Sequence, residues 1–190
     1  GFIKSDPSEP IPDLQLQFAA IRMRPHGHGL FTPMKSGYVL HICHLRPKSR
    51  GRITLRSNDP FAPPRIEANY FEDETELNAL VKGIRIARKI LASPAMQAFN
   101  GGEEVPGPGI ESDDQIRHFI RRNVETVYHT AGSCKMGNDP MAVVDAQLRV
   151  HGVDRLRVID SSIMPTITGS NIHAPTVMIA ERGAHMVLSS

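Results

Sequence analysis

The sequence has no tryptophan, few aromatic residues and almost no excess of charge of either sign. Its 22 lysines and arginines stand against 20 acidic residues, so the formal charge is +2 with the histidines neutral. So small a net charge gives little electrostatic attraction to the phosphates of nucleic acid. We therefore expect no nucleic-acid partner. The isoelectric point of about 8.7 and the basic stretch 46–56 are the only motives for that alternative. A solvated strand edge explains the basic stretch more simply.

Cysteine is also scarce. Cys43 and Cys134 lie far apart and match neither a disulfide framework nor a zinc site built from paired thiols. This use of cysteine fits a reducing, cytoplasmic location, and the amino end lacks the charged-then-apolar organisation of a secretion signal. Membrane association of a longer protein that contains this chain stays open.

No apolar run is long enough to cross a membrane. The most apolar stretch, residues 175–188, is interrupted by Glu181, Arg182 and His185, whereas a spanning helix needs about 18 or more consecutive apolar residues. We therefore predict no transmembrane segment. Hydrophobic residues make up 40% of the chain and charged residues 22%, which is ordinary for a globular protein with a core.

Alternating or β-rich patterns predict four short strands in the first part of the chain, at residues 14–21, 38–45, 52–56 and 65–70. Helical patterns follow. Asp73 with Glu76 forms a capping box ahead of a long amphipathic helix, which stops at 93–94, where a shorter helix can begin. Ser112 with Gln115 opens another. Strands followed by helices predict an α+β fold, an antiparallel sheet with flanking helices.

The chain changes character after Glu125, where small residues and turns become frequent. Two short β-runs, 147–150 and 156–159, lead into a loop rich in proline, glycine and serine. Pro175 suits the first position of a final helix that continues to Leu188 and is apolar on nearly every side. Such a helix should be buried, but the preceding chain supplies too few partners to cover it.

Nine histidines raise the question of a metal site. His26 and His28 lie in a loop and form no set of ligands with helical spacing. In a strand, His41 and Cys43 would share one face while His44 points to the other. We therefore predict no metal. The sequence also lacks a Gly-X-Gly-X-X-Gly fingerprint, a complete phosphate loop and a Gly-X-Ser-X-Gly elbow, so this chain cannot cradle a dinucleotide by itself.

Two loops, 127–137 and 163–176, each centre on one histidine, His129 and His173. A histidine among small, turn-forming residues can present its imidazole to a cavity. An ordinary imidazole pKa of ~6.5 suits it to take or return a proton near neutrality. The alternative is a loop histidine that hydrogen-bonds to backbone.

Four stretches carry a resemblance to a known family. They are Leu-Arg-Pro-Lys-Ser-Arg-Gly-Arg-Ile (45–53), Tyr-His-Thr-Ala-Gly-Ser-Cys-Lys-Met-Gly (128–137), Leu-Arg-Val-Ile-Asp-Ser-Ser-Ile-Met-Pro (156–165) and Asn-Ile-His-Ala-Pro-Thr-Val-Met-Ile-Ala-Glu (171–181). In order and spacing, the chain resembles the carboxy-terminal region of the glucose-methanol-choline (GMC) oxidoreductases, especially the choline-dehydrogenase-like and alcohol-dehydrogenase-like members.

The resemblance implies an FAD-dependent enzyme that oxidises an alcohol to a carbonyl and passes hydride to the flavin. His129 falls on the family's active-site histidine and His173 on its second catalytic position. We assign His129 as the base and His173 as the partner of the alkoxide, because loss of the hydroxyl proton makes hydride departure easier. Shared or reversed roles remain open.

Cofactor contacts are implied at two places. The backbone amides of Asp160 and Ser161 are candidates for the flavin phosphates or ribityl chain, and a turn-capping carboxylate is the alternative role of Asp160. The positive end of the last helix, at Ala174, Pro175 and Thr176, would face the flavin. Pro175 has no N–H group, so Ala174 or Thr176 must supply any hydrogen bond.

The family resemblance also implies that this chain is a fragment. Residues 1–124 would form most of a substrate-binding domain, and residues 125–190 would carry active-site loops plus a strand and helix of an absent amino-terminal FAD domain. Without that domain we expect no activity and no tight hold on FAD. His173 stands where choline dehydrogenases usually have asparagine, so a primary alcohol other than choline is favoured, with oxygen or a quinone-like electron acceptor. The alternative is a non-catalytic binding module.

Overall fold

The computed structural model describes residues 1–21 and 36–189, so the histidine pair His26/His28 lies outside the described residues. Five strands and three α-helices follow one another: β1 (Phe2–Ile3), β2 (Leu14–Ala19), β3 (Val39–His44), β4 (Arg52–Thr54), β5 (Arg65–Glu67), α1 (Glu74–Leu91), α2 (Asp113–Asn123) and α3 (His173–Leu188). Two 3₁₀ helices cover Gln97–Phe99 and Ser161–Ile163. The predicted α+β class is confirmed.

The strands form two small antiparallel sheets instead of the single sheet expected. One has the order β1-β2-β3, and the other pairs β4 with β5 alone. The three prolines between β4 and β5 lie in the loop that joins these two paired strands. Each predicted strand is present, although it is shorter than its β-rich pattern.

Contacts divide the chain into two compact units. The first comprises Gly1–Lys48 and Phe71–Val127, and the second comprises Ser49–Tyr70 and Tyr128–Ser190. The predicted boundary between residues 124 and 125 refers to the domains of a longer protein and stays a prediction.

Helix α1 organises the first unit. The Asp73 carboxylate accepts a hydrogen bond from the Thr75 N–H and caps the helix, as predicted. Glu76, the predicted partner in a capping box, is buried and accepts from the Lys48 N–H at 2.6 Å. The apolar face of the helix meets β2 and β3 so closely that a Cβ at Gly83 would lie 2.7 Å from Ile42 Cγ2. The core of this unit consists of Leu14, Phe71, Leu77, Ala79, Leu80, Val81, Ile84, Ile116 and Ile120.

Helix α2 begins with a complete capping box. The Ser112 hydroxyl accepts from the Gln115 N–H, and the Gln115 side chain accepts in return from the Ser112 N–H. Two N–H groups that would otherwise lack partners are thereby satisfied. Ile116 and Ile120 on the predicted apolar face enter the core.

Two predicted elements differ from the structure. The short helix expected from 93–94 is a turn followed by the 3₁₀ helix Gln97–Phe99. The β-runs 147–150 and 156–159 make only single bridges, Val144 with Val150 and Arg149 with Arg157. A β-run becomes a strand only where a partner pairs along its length, and these runs find such partners at isolated positions.

Candidate active site

Three of the four stretches quoted above lie in the second unit and share one core. These are residues 128–137, 156–165 and 171–181. The buried side chains between them are Val144, Leu148, Ile163, Met164 and Ile179. Distant parts of the chain are therefore held together by one apolar cluster.

The loop that follows His129 is fastened to the 3₁₀ helix at 161–163. The Cys134 N–H donates to the Ser162 carbonyl at 3.0 Å, and the Met136 N–H donates to the Ile163 carbonyl at 2.8 Å. The Ser161 hydroxyl donates to the Thr130 carbonyl at 3.3 Å. These bonds give the loop a fixed position relative to Asp160 and Ser161.

One glycine makes this close contact possible. Gly132 has a φ of 90°, a left-handed conformation that other residues adopt only under strain. A Cβ there would lie 3.3 Å from the Met164 carbonyl oxygen. The glycine of the quoted stretch therefore serves both backbone conformation and packing.

His129 is half-buried and meets the start of α3. Its Nε2 lies 2.9 Å from Nδ2 of Asn171, a residue 42 positions later in the chain. Tyr128, immediately before it, has a φ of 62°, a strained conformation of the kind that clusters at functional sites. Asn171 is two residues before His173, and two residues span at most about 7 Å between Cα atoms. The structure thus brings the His129 ring to the neighbourhood of His173.

His173 is exposed and is the first residue of α3. The prediction that Pro175 takes the first helical position is wrong, because the helix begins two residues earlier. Pro175 is tolerated as the third residue since the first turn of a helix has N–H groups without intrahelical partners. The imidazole of His173 therefore projects from the helix end itself and not from the preceding loop.

The donors at this helix end are fewer than expected. The Thr176 N–H donates to the Ile172 carbonyl at 2.9 Å and closes the first turn, and the Thr176 hydroxyl donates to the same oxygen at 2.7 Å. Of the two predicted donors, Thr176 is therefore already engaged. The Ala174 N–H has no acceptor among the described residues, so Ala174 is the donor that the helix end offers.

The Asp160 carboxylate caps the 3₁₀ helix by accepting from the Ser162 N–H at 2.7 Å, which is the turn-capping role considered above. The expected strand ending at Asp160 is absent, and the segment pairs only through Arg157. The amides of Asp160 and Ser161 have no acceptor within the part of the chain that the structure describes. Both N–H groups are therefore open to a ligand.

An ion pair between Lys135 and Asp139 stabilises the end of the His129 loop. Lys135 Nζ lies 2.8 Å and 2.7 Å from the two carboxylate oxygens of Asp139, and this ion pair lowers the pKa of Asp139. The Arg149 N–H donates to the Asp145 carboxylate and is the main cause of that group's lowered pKa. Within residues 1–21 and 36–189 no cluster of metal-ligating side chains is present; the predicted absence of a metal stays a prediction.

Helix α3 leaves most of its apolar surface uncovered. Only Ile179 and Gly183 are buried, whereas Met178 is 60% and Leu188 86% exposed. The burial expected from its sequence is not provided by the described chain. No described helix has the length and apolar character needed to cross a bilayer.

The family follows from comparison with known proteins. A family model described as GMC oxidoreductase matches residues 47–180, which is well over half of the chain. The chain therefore belongs to the GMC oxidoreductase family, whose members are FAD-dependent flavoproteins. The resemblance inferred from the four stretches is confirmed.

The relatives include dehydrogenases and an oxidase. The chain is 44% identical over 188 residues to an alcohol dehydrogenase [acceptor] of Pseudomonas putida, covering 99% of this chain and 34% of that protein. It is 44% identical over 189 residues to an oxygen-dependent choline dehydrogenase 1 of Chromohalobacter salexigens, covering 98% and 33%. The crystal structure of pyridoxine 4-oxidase from Mesorbium loti superposes with a TM-score of 0.89 at 27% identity, covering 100% of this chain and 37% of that one. The chain thus spans about a third of the length of the curated relatives it matches.

Proposed function

We propose that the chain is the substrate-binding and catalytic-histidine part of an FAD-dependent oxidoreductase that acts on the CH–OH group of a primary alcohol. One observation carries the proposal. The His129 ring is hydrogen-bonded to Asn171, two residues before His173, within a chain of the GMC family. Two imidazoles that are distant in sequence are thereby brought to one region.

His129 is proposed as the base. Its Nε2 accepts the Asn171 N–H, so this nitrogen presents a lone pair that can equally accept the proton of a substrate hydroxyl. His173, exposed at the start of α3, would donate to the oxygen that loses this proton. The opposite division of roles remains the alternative, because His173 is only two residues from Asn171, the partner of the His129 ring.

The residues present fit a flavin dinucleotide. The open N–H groups of Asp160, Ser161 and Ala174 are the kind of donors that phosphate, ribityl and flavin oxygens require. The Thr168 hydroxyl, in the loop before Asn171, is buried without a partner among the described residues, which is unusual unless a further group completes the site. FAD, when bound, supplies the hydride acceptor.

The amino end of α3 would contribute electrostatically. A helix carries about half a positive charge at its amino end, and Ala174 offers an open N–H group there. Charge that develops near this end during hydride transfer would be stabilised by groups that are already oriented. Pro175 and Thr176 complete the turn but add no free backbone donor.

A primary alcohol, aliphatic or aromatic, is the proposed substrate class, with oxygen or a quinone-like compound as electron acceptor. Recognition of a quaternary ammonium group such as choline favours an aromatic cage. Aromatic residues make up 5% of the chain and tryptophan is absent. This composition favours an uncharged alcohol, although choline-like substrates remain within the proposed class.

A non-catalytic binding module with the same fold is the second candidate, motivated by the lack of a dinucleotide fingerprint in these residues. The two candidates differ in what precedes this chain. A longer natural protein with an upstream Gly-X-Gly-X-X-Gly βαβ unit supports the enzyme, and a natural protein without one supports the binding module.

The proposed function is tested with the longer natural protein, purified with its flavin. A panel of primary, secondary and aromatic alcohols and choline is supplied together with an artificial electron acceptor. We expect acceptor reduction with primary alcohols and a weaker response to choline. No reduction with any alcohol, by protein that retains oxidised flavin, would contradict the proposal.

We expect the 190-residue chain by itself to be inactive and not to retain FAD. The partner that it lacks is proposed to be the amino-terminal FAD domain of the same protein, which would also cover the exposed face of α3 around Met178 and Val177. The measurement is the absorbance of chain mixed with FAD and then desalted. A stable yellow protein would contradict this expectation. The cytoplasmic location stays a prediction.

A further inference from the structure

We propose that Asn171 determines which ring nitrogen of His129 carries the proton and thereby makes Nε2 the atom that accepts the substrate proton. Asn171 is in this sense a positioning residue, acting on substrate only through the histidine. The proposal rests on the proposed function for its catalytic consequence. Its structural part, the control of the His129 tautomer, stands on the hydrogen bond alone.

The hydrogen bond has only one possible polarity. Asn171 Nδ2 lies 2.9 Å from His129 Nε2, and an amide nitrogen donates but does not accept. Nε2 must therefore be the acceptor, and the proton of the neutral ring lies on Nδ1. A free histidine side chain prefers the opposite tautomer, with the proton on Nε2. Asn171 thus reverses the ordinary preference of the ring.

Neighbouring structural elements hold both Asn171 and His129 in place. Asn171 directly precedes Ile172, which stands at the N-cap position of α3 and whose carbonyl accepts from the Thr176 N–H. The His129 loop is anchored by the bonds of Cys134 and Met136 to Ser162 and Ile163. The amide and the imidazole are therefore presented to each other by elements that the core already fixes, which is how a supporting residue controls a tautomer.

The proposed catalytic effect of Asn171 is to fix the tautomer of the His129 ring before substrate binds. Before substrate binds, Nε2 is occupied by the Asn171 N–H. A substrate hydroxyl that donates to Nε2 takes the place of this N–H and finds the lone pair already facing it. Without Asn171 a large share of the rings would present an Nε2–H group, which cannot accept the hydroxyl proton.

His151 supplies an internal control. Its Nε2 lies 3.1 Å from the Gly137 carbonyl oxygen, and a carbonyl only accepts. Its ring must therefore carry the proton on Nε2, the opposite arrangement to His129. The same chain thus contains two histidines whose expected tautomers differ and whose partners are independent.

The test is long-range ¹H–¹⁵N NMR of the 190-residue chain labelled at histidine, at about pH 8.5, where an ordinary imidazole is neutral. Wild-type His129 should show the Nδ1–H tautomer and His151 the Nε2–H tautomer. In Asn171→Ala the His129 ring should revert mainly to Nε2–H. In Asn171→Asp, nearly identical in shape but accepting instead of donating, it should be almost wholly Nε2–H.

A backbone amide ¹H–¹⁵N spectrum like that of the wild type shows that a variant is folded. If Asn171→Asp does not fold, Asn171→Leu replaces it, because leucine also lacks the N–H donor. An Nε2–H tautomer for His129 in the wild type, or an unchanged His129 tautomer in folded Asn171→Ala, would overturn the proposal. In the longer protein, loss of one hydrogen bond should slow flavin reduction about 5-fold in Asn171→Ala. A tautomer that responds to Asn171 in a protein that oxidises no alcohol would support the positioning and refute the proposed function.

Discussion

Replacement of His129 by alanine is expected to slow reduction of the flavin by alcohol about 10²- to 10⁴-fold in the longer natural protein. The reason is the loss of the imidazole whose Nε2 lies 2.9 Å from Asn171, two residues before α3 begins. Without it the hydroxyl proton must leave to water, and the alcohol gives up hydride far less readily. The measurement is the anaerobic rate of flavin bleaching after mixing with alcohol.

His185→Ala is the matched control for this variant. His185 is an exposed histidine in the last turn of the same α3, and its removal should leave the rate unchanged. The flavin content of both variants should equal that of the wild type, because the proposed flavin donors are other residues. Flavin reduction at the wild-type rate by His129→Ala would show that His129 is not the base.

Replacement of Gly183 by alanine is expected to lower the free energy of unfolding of the chain. The added Cβ would lie 2.2 Å from Ile159 Cγ2 and 3.0 Å from its Cδ1, so α3 or Ile159 must move. Overpacking of this kind costs about 1–3 kcal/mol. Alanine is favoured over glycine in a helix by about 1 kcal/mol, so the net loss is smaller than the cost of the clash. Chemical denaturation provides the measurement.

Gly109→Ala is the control, because nothing lies within 4 Å of the added Cβ at that position. Its stability should equal or slightly exceed that of the wild type. The double variant Gly183→Ala with Ile159→Ala should lose less stability than the sum of the two single variants. The smaller side chain at 159 removes the clash with the new Cβ at 183, and that Cβ partly fills the cavity left at 159. Unchanged stability of Gly183→Ala would contradict the close approach of α3 to the residue that precedes Asp160.

Local signals in the sequence account for much of the fold. The Ser112 and Gln115 pair acts over three residues, so its effect does not depend on distant parts of the chain, and the structure shows both of its hydrogen bonds. Alternation in β2 likewise marks Leu14 and Leu16 as the buried side of that strand. Signals of this kind are legible because both partners belong to one short segment.

The start of α3, the pairing of the later β-runs and the contact of His129 depend on distant parts of the chain. A proline fits any position of the first helical turn, so Pro175 alone could not locate the start of α3. The β-runs near Arg149 and Arg157 have strand character, but pairing decides whether a strand forms. The contact between His129 and Asn171 joins residues 42 positions apart, and neither periodicity nor composition indicates it.

The uncovered face of α3 shows the same dependence. Apolar positions around the whole helix correctly indicate a buried element, yet Met178 and Leu188 are exposed in the described chain. The chain covers about a third of its curated relatives. The proposed FAD domain would cover this exposed face.

The most direct test of the central claim is a crystal structure of the longer natural protein with FAD and an unreactive alcohol. The imidazoles of His129 and His173 should both lie within hydrogen-bond distance, about 2.6–3.2 Å, of the alcohol oxygen, with its carbon next to the flavin. An alcohol bound beside the flavin with either imidazole directed away from it would contradict the proposed assignment.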